Sequence, residues 1–148
     1  MIGPKVTRVL VADDNDDHLY FTTRALRDAY GPQVEVDTVS DGEEALDYLE
    51  RRGRYRAQPR PHLMLLDLKM PKVDGLQVLD HVKSDPELRV IPVIVLTSSE
   101  RPEDIKAIYS TGGNSYVTKP TDSTGLREGL RNVASYWIGQ AQLPEPPV

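Results

Sequence analysis

The chain has 148 residues, of which 39% are hydrophobic, which suits one compact domain with a real core, and its lack of cysteine excludes disulfides and Cys-ligated metals. With 18 Lys+Arg against 23 Asp+Glu the net charge is -5, which argues against nucleic acid as the main partner, because a phosphate backbone rewards a basic face. Residues 1–4 lack the regions of a signal peptide and the longest apolar runs, such as Leu63 to Leu66, are too short to span a bilayer, so a soluble, cytoplasmic protein with no membrane contact is expected.

Short apolar runs alternate with helical patterns along the chain, the mark of a parallel sheet covered by helices. The first strand reads as Val9 to Ala12, followed by an acidic turn and a helix with Leu19, Thr22, Leu26 and Ala29 on one face, stopped by Gly31-Pro32. The second strand is Val34 to Val39, and Asp41 with Glu44 resembles a capping box opening a helix through Ala45, Leu46 and Leu49. A loop from Gly53 to Pro61 follows. It holds much of a basic stretch, Arg51, Arg52, Arg54, Arg56 and Arg60 around Tyr55, that reads as a solvated loop, with docking of an acidic partner or nucleic acid as the alternative. His62 to Leu66 is the most continuously apolar strand and ends on Asp67; its helix carries Leu76, Leu79 and Val82 and closes at Asp85-Pro86. Val93 to Leu96 is the fourth strand, with a helix through Ile105, Ile108 and Tyr109 that Gly112-Gly113 ends. Ser115 to Thr118 is the fifth. The last helix is predicted from Ser123 to Gln142 with Leu126, Leu130, Val133, Trp137, Ile138 and Ala141 along one stripe. The domain is expected over residues 1–143, with a Pro-rich tail over 144–148.

Right-handed crossovers make an α/β fold the economical topology: a doubly wound, flavodoxin-like (βα)5 arrangement with strand order 2-1-3-4-5. Its site lies at the strand C-termini, between strands one and three. There stand Asp13 and Asp14, Asp67, Thr97 and Lys119. Carboxylates brought that close repel one another unless a cation neutralises them, and hard oxygen ligands select Mg²⁺ or Mn²⁺. Lys119 and the Thr97 hydroxyl are the donors a transferring phosphoryl group needs.

An acidic pair, an acceptor Asp, a Thr and a Lys-Pro pair at these strand ends resemble the response-regulator receiver family over nearly the whole chain. The resemblance implies that Asp67 takes a phosphoryl group from a phosphohistidine of a sensor histidine kinase, in a signalling protein that catalyses its own phosphorylation and dephosphorylation. It further implies Asp14 as a direct metal ligand, Asp13 as a ligand through water and the Lys69 carbonyl as another, with Thr97 and Tyr116 as the switch and a cis peptide at Lys119-Pro120. The Gly53 to Pro61 loop, the Lys83-Ser84-Asp85-Pro86 segment and Tyr136-Trp137-Ile138 with Leu143-Pro144 look like the small regulators paired with phytochrome histidine kinases.

The alternative is a Mg²⁺-dependent phosphatase or phosphotransferase with an aspartyl nucleophile. It would want a second acid two residues after Asp67, where Lys69 stands. The Asp13, Asn15, Asp17 spacing fails as a calcium loop, because His18 and Arg24 fall where Gly and Glu belong. His18, His62 and His81 lack ligand-like spacing and read as surface or packing residues. One helix and a tail after Lys119 leave no room for an output domain, so output is expected by partner contact. A homodimer is expected through helix four, strand five and helix five, using Tyr109, Tyr136 and an overhanging turn bearing Trp137 and Ile138.

Overall fold

A computed structural model describes residues 6–148; the stretch read as lacking a leader, residues 1–4, lies outside them. Five parallel strands, β1 (Thr7–Ala12), β2 (Val34–Val39), β3 (Leu63–Leu66), β4 (Val93–Thr97) and β5 (Ser115–Thr118), form one sheet in the order β2-β1-β3-β4-β5. The helices are α1 (Asp16–Tyr30), α2 (Gly42–Glu50), α3 (Gly75–Ser84), α4 (Pro102–Thr111) and α5 (Ser123–Trp137).

The sheet has a core on each face, because successive side chains of a strand point to opposite sides. Leu10, Ala12, Met64, Leu66, Val93 and Val95 meet α2, α3 and α4 through Leu49, Leu79, Val82 and Ile108. Val9, Val11, Leu63, Leu65, Ile94 and Leu96 meet α1 and α5 through Leu19, Leu26, Leu126 and Leu130. β3 is buried on both faces, which is why it reads as an unbroken apolar run. Truncating a residue such as Leu65 to alanine is expected to cost about 2–5 kcal/mol, since the surrounding packing closes a cavity only in part.

Local chemistry sets the helix ends. Asn15 caps α1 by accepting the His18 N–H at 3.1 Å, and Asp41 caps α2 by accepting that of Glu44 at 2.7 Å. The reciprocal capping box is found in α3, where Asp74 and Gln77 exchange bonds of 2.9 and 3.0 Å. Ala29 is exposed, and Ala25 takes its expected place on the buried face of α1.

Helix α5 stops at Trp137, five residues short of the expected Gln142. Past it the Ala141 N–H turns back to the Tyr136 carbonyl at 2.7 Å. Trp137, Ile138 and Leu143 pack against the α1/α5 core of their own chain, so the overhanging apolar turn does not form. Apolar side chains that continue the core stripe lose more water by folding back than by projecting. The basic stretch is largely paired internally: Arg52 with Asp47 at 3.0 Å, Arg54 with Glu44 at 2.7 Å and Arg60 with Glu87 at 3.2 Å. Arg51 and Arg60 also donate to the carbonyls of Pro147 and Val148, at 3.4 and 3.3 Å.

Candidate functional site

Register builds the site. Ala12 of β1 pairs with Leu66 of β3, and the Asp67 N–H continues that ladder to the Ala12 carbonyl at 2.9 Å, so Asp13 and Asp67 emerge side by side. Thr97 pairs with Thr118 at the end of β4 and β5, and the Lys119 N–H reaches the Thr97 carbonyl at 2.7 Å. The strands thus deliver Asp13, Asp14, Asp67, Thr97 and Lys119 to one rim, as their spacing predicts.

Asp13, Asp14 and Asp67 each offer a carboxylate oxygen, with those oxygens within 4.8 Å of one another. Asp13 is buried, Asp67 half-buried and Asp14 exposed. The Lys119 ammonium, itself buried, donates to Asp13 Oδ2 at 2.5 Å and stands 3.5 Å from Asp67 Oδ2. Burial pushes the Asp67 carboxyl above the ordinary carboxylate range and Asp13 adds to this, while Lys119 and the Lys69 N–H oppose it. Three carboxylates against one ammonium leave excess negative charge at the rim. That donor set, all oxygen with an exposed member, fits a hard divalent cation. Lys69 is exposed beside the pocket, its N–H 3.4 Å from Asp67 Oδ1. Thr97 is fully buried. Tyr116 is partly buried, its hydroxyl donating to the Ser99 carbonyl at 2.8 Å.

The family model for the response regulator receiver domain matches residues 9–131, which carry every one of these groups. The chain is a response-regulator receiver. It is 39% identical to the response regulator Rcp1 of Synechocystis, across 74% of this chain and 75% of that one, and 38% identical to a probable methanogenesis regulatory protein, FilR2, of Methanothrix harundinacea, across 93% and 88%. Among solved structures, the phosphorylated cyanobacterial phytochrome response regulator RcpA superposes with a TM-score of 0.91 at 37% identity, covering 94% of this chain and 99% of its own. The Mn²⁺-bound form of Rcp1 superposes with a TM-score of 0.89 at 33% identity, covering 93% and 99%. The aspartyl phosphatase alternative is not favoured by these likenesses.

Two expectations for this receiver are corrected. The Lys119–Pro120 peptide is trans, as are all peptides among the described residues; proline weakens the trans preference without abolishing it. His18, read as a surface or packing residue, places its Nδ1 2.9 Å from Lys119 Nζ at the rim. The available signal was position: a side chain in the first turn of a helix leans towards the helix N-terminus, here over the strand ends. His62 is buried and His81 half-buried, with ligand atoms of Glu50 and Asp85 within 4.8 Å of it. His62 accepts the Arg8 N–H at 3.0 Å, and His81 lies 2.9 Å from Glu50. Gly75 was also missed. A Cβ there would lie 2.2 Å from the Asp67 carbonyl oxygen, so the segment carrying Asp67 rests directly on the start of α3.

Proposed function

We propose that Asp67 is the phosphoacceptor of this receiver, and the observation that carries the reading is a half-buried carboxylate flanked by Asp13 and an enclosed lysine. One Asp67 oxygen attacks the phosphorus of a kinase phosphohistidine; the P–N bond breaks, its electrons return to the imidazole, and an acyl phosphate forms. Lys119 donates to a phosphoryl oxygen, and the Thr97 hydroxyl supplies a second donor. Asp13, Asp14, Asp67 and the Lys69 carbonyl would hold Mg²⁺, which neutralises the carboxylates and the developing phosphoryl charge. Attack on the acyl phosphate by water at the same pocket would return the carboxylate.

Thr97 and Tyr116 serve as the switch in this reading, with the donated bond to Ser99 as the element that shifts. The partner is a sensor histidine kinase of phytochrome type, a reading supported by likeness to RcpA, a phytochrome response regulator, and to two bacteriophytochrome response regulators 40% identical to this chain. Signal output is by contact, from a cytoplasmic protein that pairs with a second copy through α4, β5 and α5. On that face Tyr109 and Tyr136 are 52% and 54% exposed. Trp137 and Ile138 support it from beneath, because both pack inward. The test is incubation with phosphoramidate and Mg²⁺: wild type takes one stable label per chain and Asp67→Asn takes none. Many turnovers per chain, or label on the Asn variant, would sink the reading.

A further inference from the structure

The Lys119 ammonium has three N–H donors and three neighbours: Asp13 Oδ2 at 2.5 Å, His18 Nδ1 at 2.9 Å and Asp67 Oδ2 at 3.5 Å. Two of these are carboxylates that phosphoryl transfer occupies otherwise, Asp13 with the cation and Asp67 with phosphorus. The third is the His18 imidazole, whose Nδ1 also lies 3.7 Å from Asp13 Oδ2. A proton on Nδ1 would set donor against donor across 2.9 Å, so the nitrogen facing Lys119 is bare and the ring proton sits on Nε2. The backbone that carries the ring is fixed by the Asn15 cap, which accepts the His18 N–H at 3.1 Å.

We propose that His18 is a positioning residue for phosphoryl transfer: its Nδ1 holds the Lys119 ammonium on Asp67 when the two carboxylates are engaged. A lysine has four rotatable bonds, and once its carboxylate partners are engaged elsewhere the phosphoryl oxygen alone would hold it loosely. An imidazole nitrogen opposes this without bringing a further carboxylate to compete with the phosphoryl oxygens for Lys119. The inference rests on the reading of Asp67 as phosphoacceptor.

The experiment compares wild type, His18→Ala and His18→Asn for initial rate of labelling by phosphoramidate at saturating Mg²⁺, and for Mg²⁺ affinity. The Ala variant is expected to label about tenfold more slowly, the loss of one charge-assisted hydrogen bond, with Mg²⁺ affinity within about twofold. The Asn variant, whose amide oxygen can stand where Nδ1 does, recovers most of the rate. Should the Ala variant fail to fold by circular dichroism, His18→Leu replaces it as a side chain of similar bulk without an acceptor. Unchanged labelling without the acceptor, or an Asn variant as slow as Ala, overturns the role of His18 while leaving Asp67 standing. A wild type that takes no label overturns both. In the metal-free protein, imidazole ¹⁵N spectra at pH 8 are expected to show the His18 proton on Nε2; a proton on Nδ1 would also overturn the inference.

Discussion

The Tyr116 hydroxyl donates to the main-chain carbonyl of Ser99 at 2.8 Å, tying β5 to the loop two residues past Thr97. Any movement of Thr97 must pull on a loop that this bond holds. Tyr116→Phe keeps the ring and removes the bond. A loss of about 1 kcal/mol in urea unfolding is expected, with faster amide exchange confined to residues 98–101. Exchange that stays at the wild-type rate would show that the loop is held by other contacts.

The raised Asp67 carboxyl carries a stability cost. A carboxyl whose folded pKa lies above its unfolded value destabilises the fold at neutral pH, and the cost is relieved as pH falls through the folded pKa. In EDTA at pH 7, Asp67→Asn should therefore melt a few degrees above wild type, with the gap closing in acid. Added Mg²⁺ should reverse the order, since wild type gains binding energy that the variant has largely lost. Melting curves with and without the metal check both signs.

Removal of Asp14 and of Lys119 should separate binding from positioning. Asp14→Ala is expected to weaken Mg²⁺ by at least about tenfold, because an exposed carboxylate of the triad is lost. Lys119→Ala should keep or tighten the metal, as it removes a competing cation from among the carboxylates. Calorimetric titration measures both; equal weakening in the two variants would contradict the division of roles.

Two glycines give opposite expectations. Gly75→Ala must displace the Asp67 carbonyl or the Leu68 backbone and should cost roughly 1–3 kcal/mol along with phosphoryl acceptance. Gly129 lies inside α5 with open space where a Cβ would stand, so Gly129→Ala should stabilise by about 0.5–1 kcal/mol and leave labelling alone. Denaturant midpoints and labelling yields report each.

The pairing of copies has a direct check by sedimentation. A wild-type dimer that Tyr136→Ala converts to monomer supports the face of α4, β5 and α5. Because Trp137 packs inward, its replacement should instead lower stability, which separates surface from core in a way that the helical stripe alone could not.

Much of this was legible from residue order, for reasons that differ by element. β3 announced itself because a strand buried on both faces cannot carry polar residues, and Asp67 was conspicuous as the first charge after it. The rim followed from topology, since parallel strands bring their C-termini to one edge. The end of α5 was misjudged because Ile138 and Ala141 continue a helical period although the chain has already turned at Trp137. His18 escaped notice because its partner, Lys119, lies 101 residues away, and only a folded helix end brings the two together.

β5 borders the sheet, and the outward-facing N–H of Tyr116 is taken by the Tyr109 hydroxyl at 3.1 Å. An open border strand is a template on which another chain can build, and a single phenol here blocks one of its main-chain docking points. A chain adding itself to this border would first have to break the Tyr109–Tyr116 bond, so sheet extension from molecule to molecule is opposed at that point.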